Sequence, residues 1–193
     1  MVRENKLEKR LLRFLKYIVD NTDIEPTPQE KRMALASSIA LESGCTRRKV
    51  GAVIYDKNED LISAGFNQIQ GTPCKDMYKQ HKCRRKYLRN EKDKYSDEAK
   101  LLDHCKAVHA EQNALLNVKS EQTQRGTIYV TTCPCFDCAK QIIRSGINEL
   151  IYMHPYPNYE SLELMENNGV IVRKFEGVRS GAFLRFFGEE NFV

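Results

Sequence analysis

Two short stretches hold the residue types from which a metal-assisted hydrolase can be built. In His109-Ala110-Glu111 an imidazole stands two residues ahead of a carboxylate, and in Pro134-Cys135-Phe136-Asp137-Cys138 two thiols stand three residues apart. Cysteines at that spacing on the first turn of a helix project to one side, close enough to share an ion. The positive end of the helix dipole favours the thiolates that zinc requires. An imidazole from a second helix start makes a third ligand. Three protein ligands leave the fourth tetrahedral position open to water, which distinguishes a catalytic zinc from a structural one. Glu111 then stands beside that position without ligating the metal, where a carboxylate can take up and return protons. Each stretch alone has an ordinary explanation, the first as a helix start and the second as a structural zinc half-site or redox pair. Together and in this order they point to a hydrolytic metal centre with His109, Cys135 and Cys138 as ligands and Glu111 as the proton carrier.

The rest of the chain must hold those two stretches together. Its 193 residues match about one domain, and with 41% hydrophobic and 30% charged residues they can bury one sizeable core but not a membrane bundle. No apolar run approaches the ~18 residues of a membrane span. The N-terminus alternates charge with Leu where a signal peptide needs an apolar centre, so a cytoplasmic protein is expected. A formal charge of +5 hints only at an anionic ligand or a solvated surface. Seven cysteines, an odd number, argue against a disulfide framework and for metal binding or catalysis.

Periodicity predicts an amphipathic helix from Leu7 to about Asp20, with residues 1–26 an appendage, and a domain over 27–193. Thr27-Pro28-Gln29-Glu30 carries the signals of a helix start, with Thr as cap and Glu closing a capping box, and that helix should run to Ser43. Val50–Tyr55 and Leu61–Phe66 read as a hairpin around Asp56–Asp60. From about 68 to 107 the hydrophobic pattern fades into a long insertion. Lys75 to Lys100 holds ten basic against five acidic residues, read as a mostly solvated face with one or two charges near the site engaging phosphate. Beyond it, helices at 109–119, 135–145 and 159–167 alternate with strands at 127–132, 149–153 and 170–175, the pattern of an α/β layer structure. A last amphipathic stretch covers 183–187. Cys133 reads as a small buried apolar residue rather than a ligand.

The pairing of His-x-Glu with Pro-Cys-x-x-Cys is the general signature of the zinc nucleobase deaminases. At CTRRKVGAVIY from Cys45, SAGFN at Ser63–Asn67, VHAEQNAL at Val108–Leu115 and TIYVTTCPCFDCAKQIIRSGI from Thr127, the chain resembles the cytidine deaminase superfamily. Within it the likeness is greatest to the deoxycytidylate (dCMP) deaminases, over roughly residues 28–176. The resemblance implies a three-layer α/β/α sandwich with a five-stranded mixed sheet, and hydrolysis of dCMP to dUMP and ammonia for thymidylate synthesis. It implies that Asn67 contacts the sugar, that the Ala110 amide contacts the pyrimidine carbonyl, and that Tyr156 lies beside the nucleotide. Homo-oligomers, often hexamers, and control by dCTP and dTTP are family traits. Regulated members continue the Gly-Tyr-Asn motif with Gly, whereas here Gly65-Phe66-Asn67 is followed by Gln68.

Phage relatives also hold a structural zinc. Two of its ligand positions match Cys45 and Cys74, while Ala99 and Ala107 stand where the other two would be. This chain offers Cys83, Cys105, His81 and His104 instead. The expected set is Cys45, Cys74, Cys83 and Cys105, with His104 as substitute, pinning an insertion that has little core of its own. Two other functions use the same residues: deamination of another nucleobase, such as tRNA adenosine, and a non-catalytic nucleic-acid accessory role. The long path to His109 disfavours the first, and the presence of Glu111 disfavours the second.

Overall fold

The computed structural model describes residues 26–77, 83–90, 104–155 and 159–177. The anticipated helix at 7–20 and the stretch at 183–187 lie outside them. The chain divides into a unit of residues 35–175 and a second unit of residues 1–34 with 176–193. Helix α1, Pro28–Leu41, starts at a reciprocal capping box. The Thr27 amide donates to Glu30 Oε2 at 2.8 Å and the Glu30 amide to Thr27 Oγ1 at 3.2 Å.

Within residues 35–175, five strands form one mixed sheet: β1 (Gly51–Tyr55), β2 (Leu61–Phe66), β5 (Thr127–Thr132), β6 (Glu149–His154) and β7 (Ile171–Lys174), in the order β2-β1-β5-β6-β7. β1 runs antiparallel to both β2 and β5, joined to β2 by a tight turn in which Asp56 Oδ1 accepts the amides of Asn58 at 2.8 Å and Asp60 at 3.0 Å. β5, β6 and β7 are parallel, which requires crossovers. Helices α6 (Phe136–Arg144) and α7 (Glu160–Asn167) supply them.

The register shows which helix covers which face. Ala52 pairs with Gly65 and Val130, and Ile54 with Ile128, so these side chains share a face. They form one buried cluster with Ala110 and Ala114 of α4 (Ala110–Leu116), Ala139 and Ile142 of α6, and Met165 of α7. Gly51, one residue from Ala52, faces the other way, and there a Cβ would overlap the Ala36 carbonyl of α1. Helices therefore cover both faces, the three-layer α/β/α sandwich that the family resemblance implied. The predicted helix 109–119 ends early, α4 stopping at Leu116, and a short α5 follows beyond it at Ser120–Thr123.

One ladder was not legible in the sequence. β3 (Gln68–Ile69) pairs antiparallel with β4 (Ala107–Val108), and the Gln70 amide donates to the Lys106 carbonyl at 3.0 Å. The insertion thus leaves and rejoins the domain at one point, beside the start of α4. Its described part contains α2 (Cys74–Met77) and α3 (Arg84–Asn90).

Candidate active site

Both metal-ligand stretches are helix starts. His109 caps α4 with extended backbone, φ −69° and ψ 158°, its amide donating to Gln112 Oε1 at 2.9 Å. Cys135 caps α6 with φ −72° and ψ 171°, its carbonyl accepting the Ala139 amide at 2.9 Å. β4 delivers the first helix and β5 the second, while the Cys133 amide donates to the His154 carbonyl at 2.8 Å, fastening the β5–α6 turn to β6. Asn113 Nδ2 donates to the Phe66 carbonyl at 2.7 Å and Ser63 Oγ to the Ala114 carbonyl at 2.6 Å, locking α4 to β2.

The result is one convergence point. His109 Nδ1 lies 3.3 Å from Cys138 Sγ and 3.4 Å from Cys135 Sγ. All three donor atoms lie within 4.8 Å of one another, a grouping found nowhere else among the described residues. Tetrahedral zinc with ordinary bond lengths sets nitrogen and sulfur about 3.6 Å apart, so the three residues fit zinc with little adjustment.

Glu111 is buried, 4% exposed, and burial pushes its carboxyl up to about 7. The Cys138 thiol, donating a hydrogen bond to the Cys135 sulfur, is the main reason that Cys135 is pulled down to about 4. Cys138 is correspondingly pushed up, by that same bond and by burial. The hydrogen bond to Cys135 raises the His109 imidazole against the opposing effect of burial. Without metal the pair thus holds one thiolate and one thiol, and a dication displaces the remaining proton.

The site opens into a cavity of about 280 Å³, which Asn67, Ala110 and Glu111 also line. Ala110 is fully buried, and its amide is the first of α4, without an acceptor within the helix. Asn67 is bound to the approach to β1: Oδ1 accepts the Val50 amide at 2.7 Å and Nδ2 donates to the Arg48 carbonyl at 2.9 Å. Tyr156 lies outside the described residues, as does His81. Sequence reasoning missed Arg47, Arg48 and Thr132, which line the same cavity. For the arginines, the basic pair beginning two residues after Cys45 was the available signal.

Of the other cysteines, Cys45, Cys83 and Cys105 line this cavity as well, whereas Cys74 is buried elsewhere. Burial raises the Cys105 thiol, with the charges of Cys45 and Cys83 adding to it. Cys133 is buried in the core cluster beside Ala139 and Ile142, as its small apolar character suggested.

Comparison with known proteins agrees with this geometry. Residues 26–154 match the cytidine and deoxycytidylate deaminase zinc-binding region. The deoxycytidylate deaminase of Saccharomyces cerevisiae is 33% identical over 150 residues, covering 74% of this chain and 43% of that one, so the chain spans less than half of that relative. That of Mycobacterium phage D29 is 35% identical over 127 residues, covering 66% of this chain and 94% of the phage enzyme. The crystal structure of the cyanophage S-TIM5 dCMP deaminase with dCMP and dUMP superposes with a TM-score of 0.56 at 27% identity, over 79% of this chain and 99% of that one. With the family model matched over two thirds of its length, across both His109-Ala110-Glu111 and the Cys135–Cys138 turn, the chain belongs to the cytidine and deoxycytidylate deaminase family.

Proposed function

We propose that the chain hydrolyses dCMP to dUMP and ammonia. The observation that carries this is the convergence of His109, Cys135 and Cys138 next to the buried Glu111, at a cavity that His109, Glu111 and Cys135 line. Zinc, when bound there, lowers the pKa of a coordinated water toward neutrality and so supplies the nucleophile. The protein's own residues manage the protons and the pose. Glu111 takes a proton from the attacking water and gives it to ring N3, then takes the proton of the new C4 hydroxyl and gives it to the amino group, which departs as ammonia as the C4 carbonyl forms. A carboxyl held near neutrality by burial suits a group that must both accept and donate. The Ala110 amide donates to the pyrimidine carbonyl. Asn67 keeps one Nδ2 hydrogen and one Oδ1 lone pair beyond its bonds to the backbone, enough to contact the sugar while holding the cavity wall. Tyr156 is assigned beside the nucleotide by resemblance.

The proposal extends to a structural zinc for which the resemblance supplies Cys45 and Cys74, and this chain's own Cys83 and Cys105, with His104 as substitute, complete the set. Its support is the shared cavity position of three of them, and binding would draw them closer than they stand. Assembly into a homo-oligomer, a hexamer in this reading, and a cytoplasmic location belong to the same proposal. Among the described residues no helix is long and apolar enough to cross a membrane. Gln68, standing where regulated members have Gly, weighs against control by dCTP and dTTP.

Ammonia release across dCMP, CMP, deoxycytidine, dCTP and a tRNA anticodon stem tests the reading. Turnover of dCMP is expected, and activity confined to the RNA overturns it.

A further inference from the structure

We propose that Arg85 is the residue that recognises the nucleotide's 5′-phosphate, an assignment that rests on the deaminase reading and adds to it a specificity determinant supplied by the insertion. Arg85 is the second residue of α3 and lines the cavity that contains His109 and Glu111. Its positive charge acts on both His109 and Cys105, so the guanidinium stands within electrostatic reach of both. Its Nε is buried, and among the described residues it is the sole buried side-chain nitrogen or oxygen without a hydrogen-bond partner. Buried donors are nearly always paired, and a charged one left unpaired is costly. Arg85 thus lines the cavity with its Nε lacking an acceptor, which an anionic ligand can bring once the side chain turns toward it.

The chemistry of that acceptor follows from the lining. Arg47, Arg48 and Arg85 give three guanidinium groups, against Glu111 as the one carboxylate. Arg47 and Arg48 are exposed, whereas Arg85 is half-buried, so its charge is the least screened of the three. A guanidinium presents Nε–H and Nη–H side by side, matching two oxygens of a phosphate monoester. The base enters toward Glu111, and the ester at the other end of the nucleotide meets Arg85. The insertion, tied at its neck by the β3–β4 ladder, is what carries this residue to the cavity.

Calorimetric titration of the zinc-loaded protein with dUMP, deoxyuridine and inorganic phosphate tests the assignment in wild type, Arg85→Gln and Arg85→Lys, with metal content measured for each. The wild type should prefer dUMP to deoxyuridine, and Arg85→Gln should reduce that preference by about 10- to 100-fold. Arg85→Lys should restore part of it, because charge survives without the planar fork. An unchanged preference in Arg85→Gln overturns the proposal. So does equal weakening of both ligands with a fall in metal content, which would mean that Arg85 serves the neighbouring thiolates. A wild type that binds dUMP through Arg85 but releases no ammonia from dCMP would sink the reaction while leaving the anion contact standing.

Discussion

Glu111 sits where a carboxylate is hardest to keep charged, and the proposed reaction uses that difficulty. Replacing it with Gln keeps the size and the hydrogen-bonding edge but removes the proton carrier. Turnover should fall by about 10²- to 10⁴-fold or more, while metal analysis still finds the zinc held by His109, Cys135 and Cys138. Retained turnover would remove Glu111 from its role. Cys138→Ala should act at the opposite point, losing metal and activity together, as read by metal content per chain. These residues were legible in the sequence because their chemistry depends on local spacing, two residues from His109 to Glu111 and three from Cys135 to Cys138. Arg85 was not, because one guanidinium in a run of basic residues looks like its solvated neighbours until a cavity singles it out.

At the scale of elements, the site depends on how closely α4 approaches β2. A Cβ added at Gly65 would stand 2.5 Å from both the Ala110 carbonyl and the Ala114 amide. Gly65→Ala should destabilise the fold by about 1–3 kcal/mol. It should also reduce zinc affinity, because the displaced helix carries His109 at its start; thermal melting and chelator competition read the two effects separately. The strands and main helices were predictable from alternation and capping signals such as Thr27 with Glu30. The β3–β4 ladder was not, because two-residue strands have no periodicity to read and their pairing spans some forty residues of polar chain. The same loss of pattern hid α2 and α3. Leu116 ends α4 early with its side chain 78% exposed, so the apolar rhythm that suggested a longer helix did not mark a buried face there.

For the molecule as a whole, the metal site is a cross-link between segments that the sheet alone leaves separate. α4 enters from β4 at the neck of the insertion, and α6 leaves β5 at the middle of the sheet. Removing zinc should lower the melting temperature as well as abolish activity. With free zinc at a thousandfold its dissociation constant the stabilisation amounts to about 4 kcal/mol, and calorimetry with and without chelator measures it. The sign of the pH effect follows from proton displacement. Zinc binds deprotonated ligands, so acidification returns protons to the sulfurs and imidazole, weakens binding and removes that stabilisation. A metal-bound form that gained stability on acidification would contradict the ligand set. The strand–helix alternation was expected from the pattern after residue 109 and the layer order from the family resemblance, whereas the cavity, assembled from 45–50, 67, 83–85, 105–111 and 132–135, emerges only once the chain has folded.

The lowered thiol of Cys135 at the mouth of α6 makes the metal-free protein its own occupancy reporter. A thiolate at neutral pH and partly exposed, it is open to soft electrophiles. Iodoacetamide should therefore alkylate Cys135 rapidly in chelator-treated protein and spare it once zinc is restored. Mass spectrometry of the tryptic peptides would then give the loaded fraction of a preparation directly, with no substrate present.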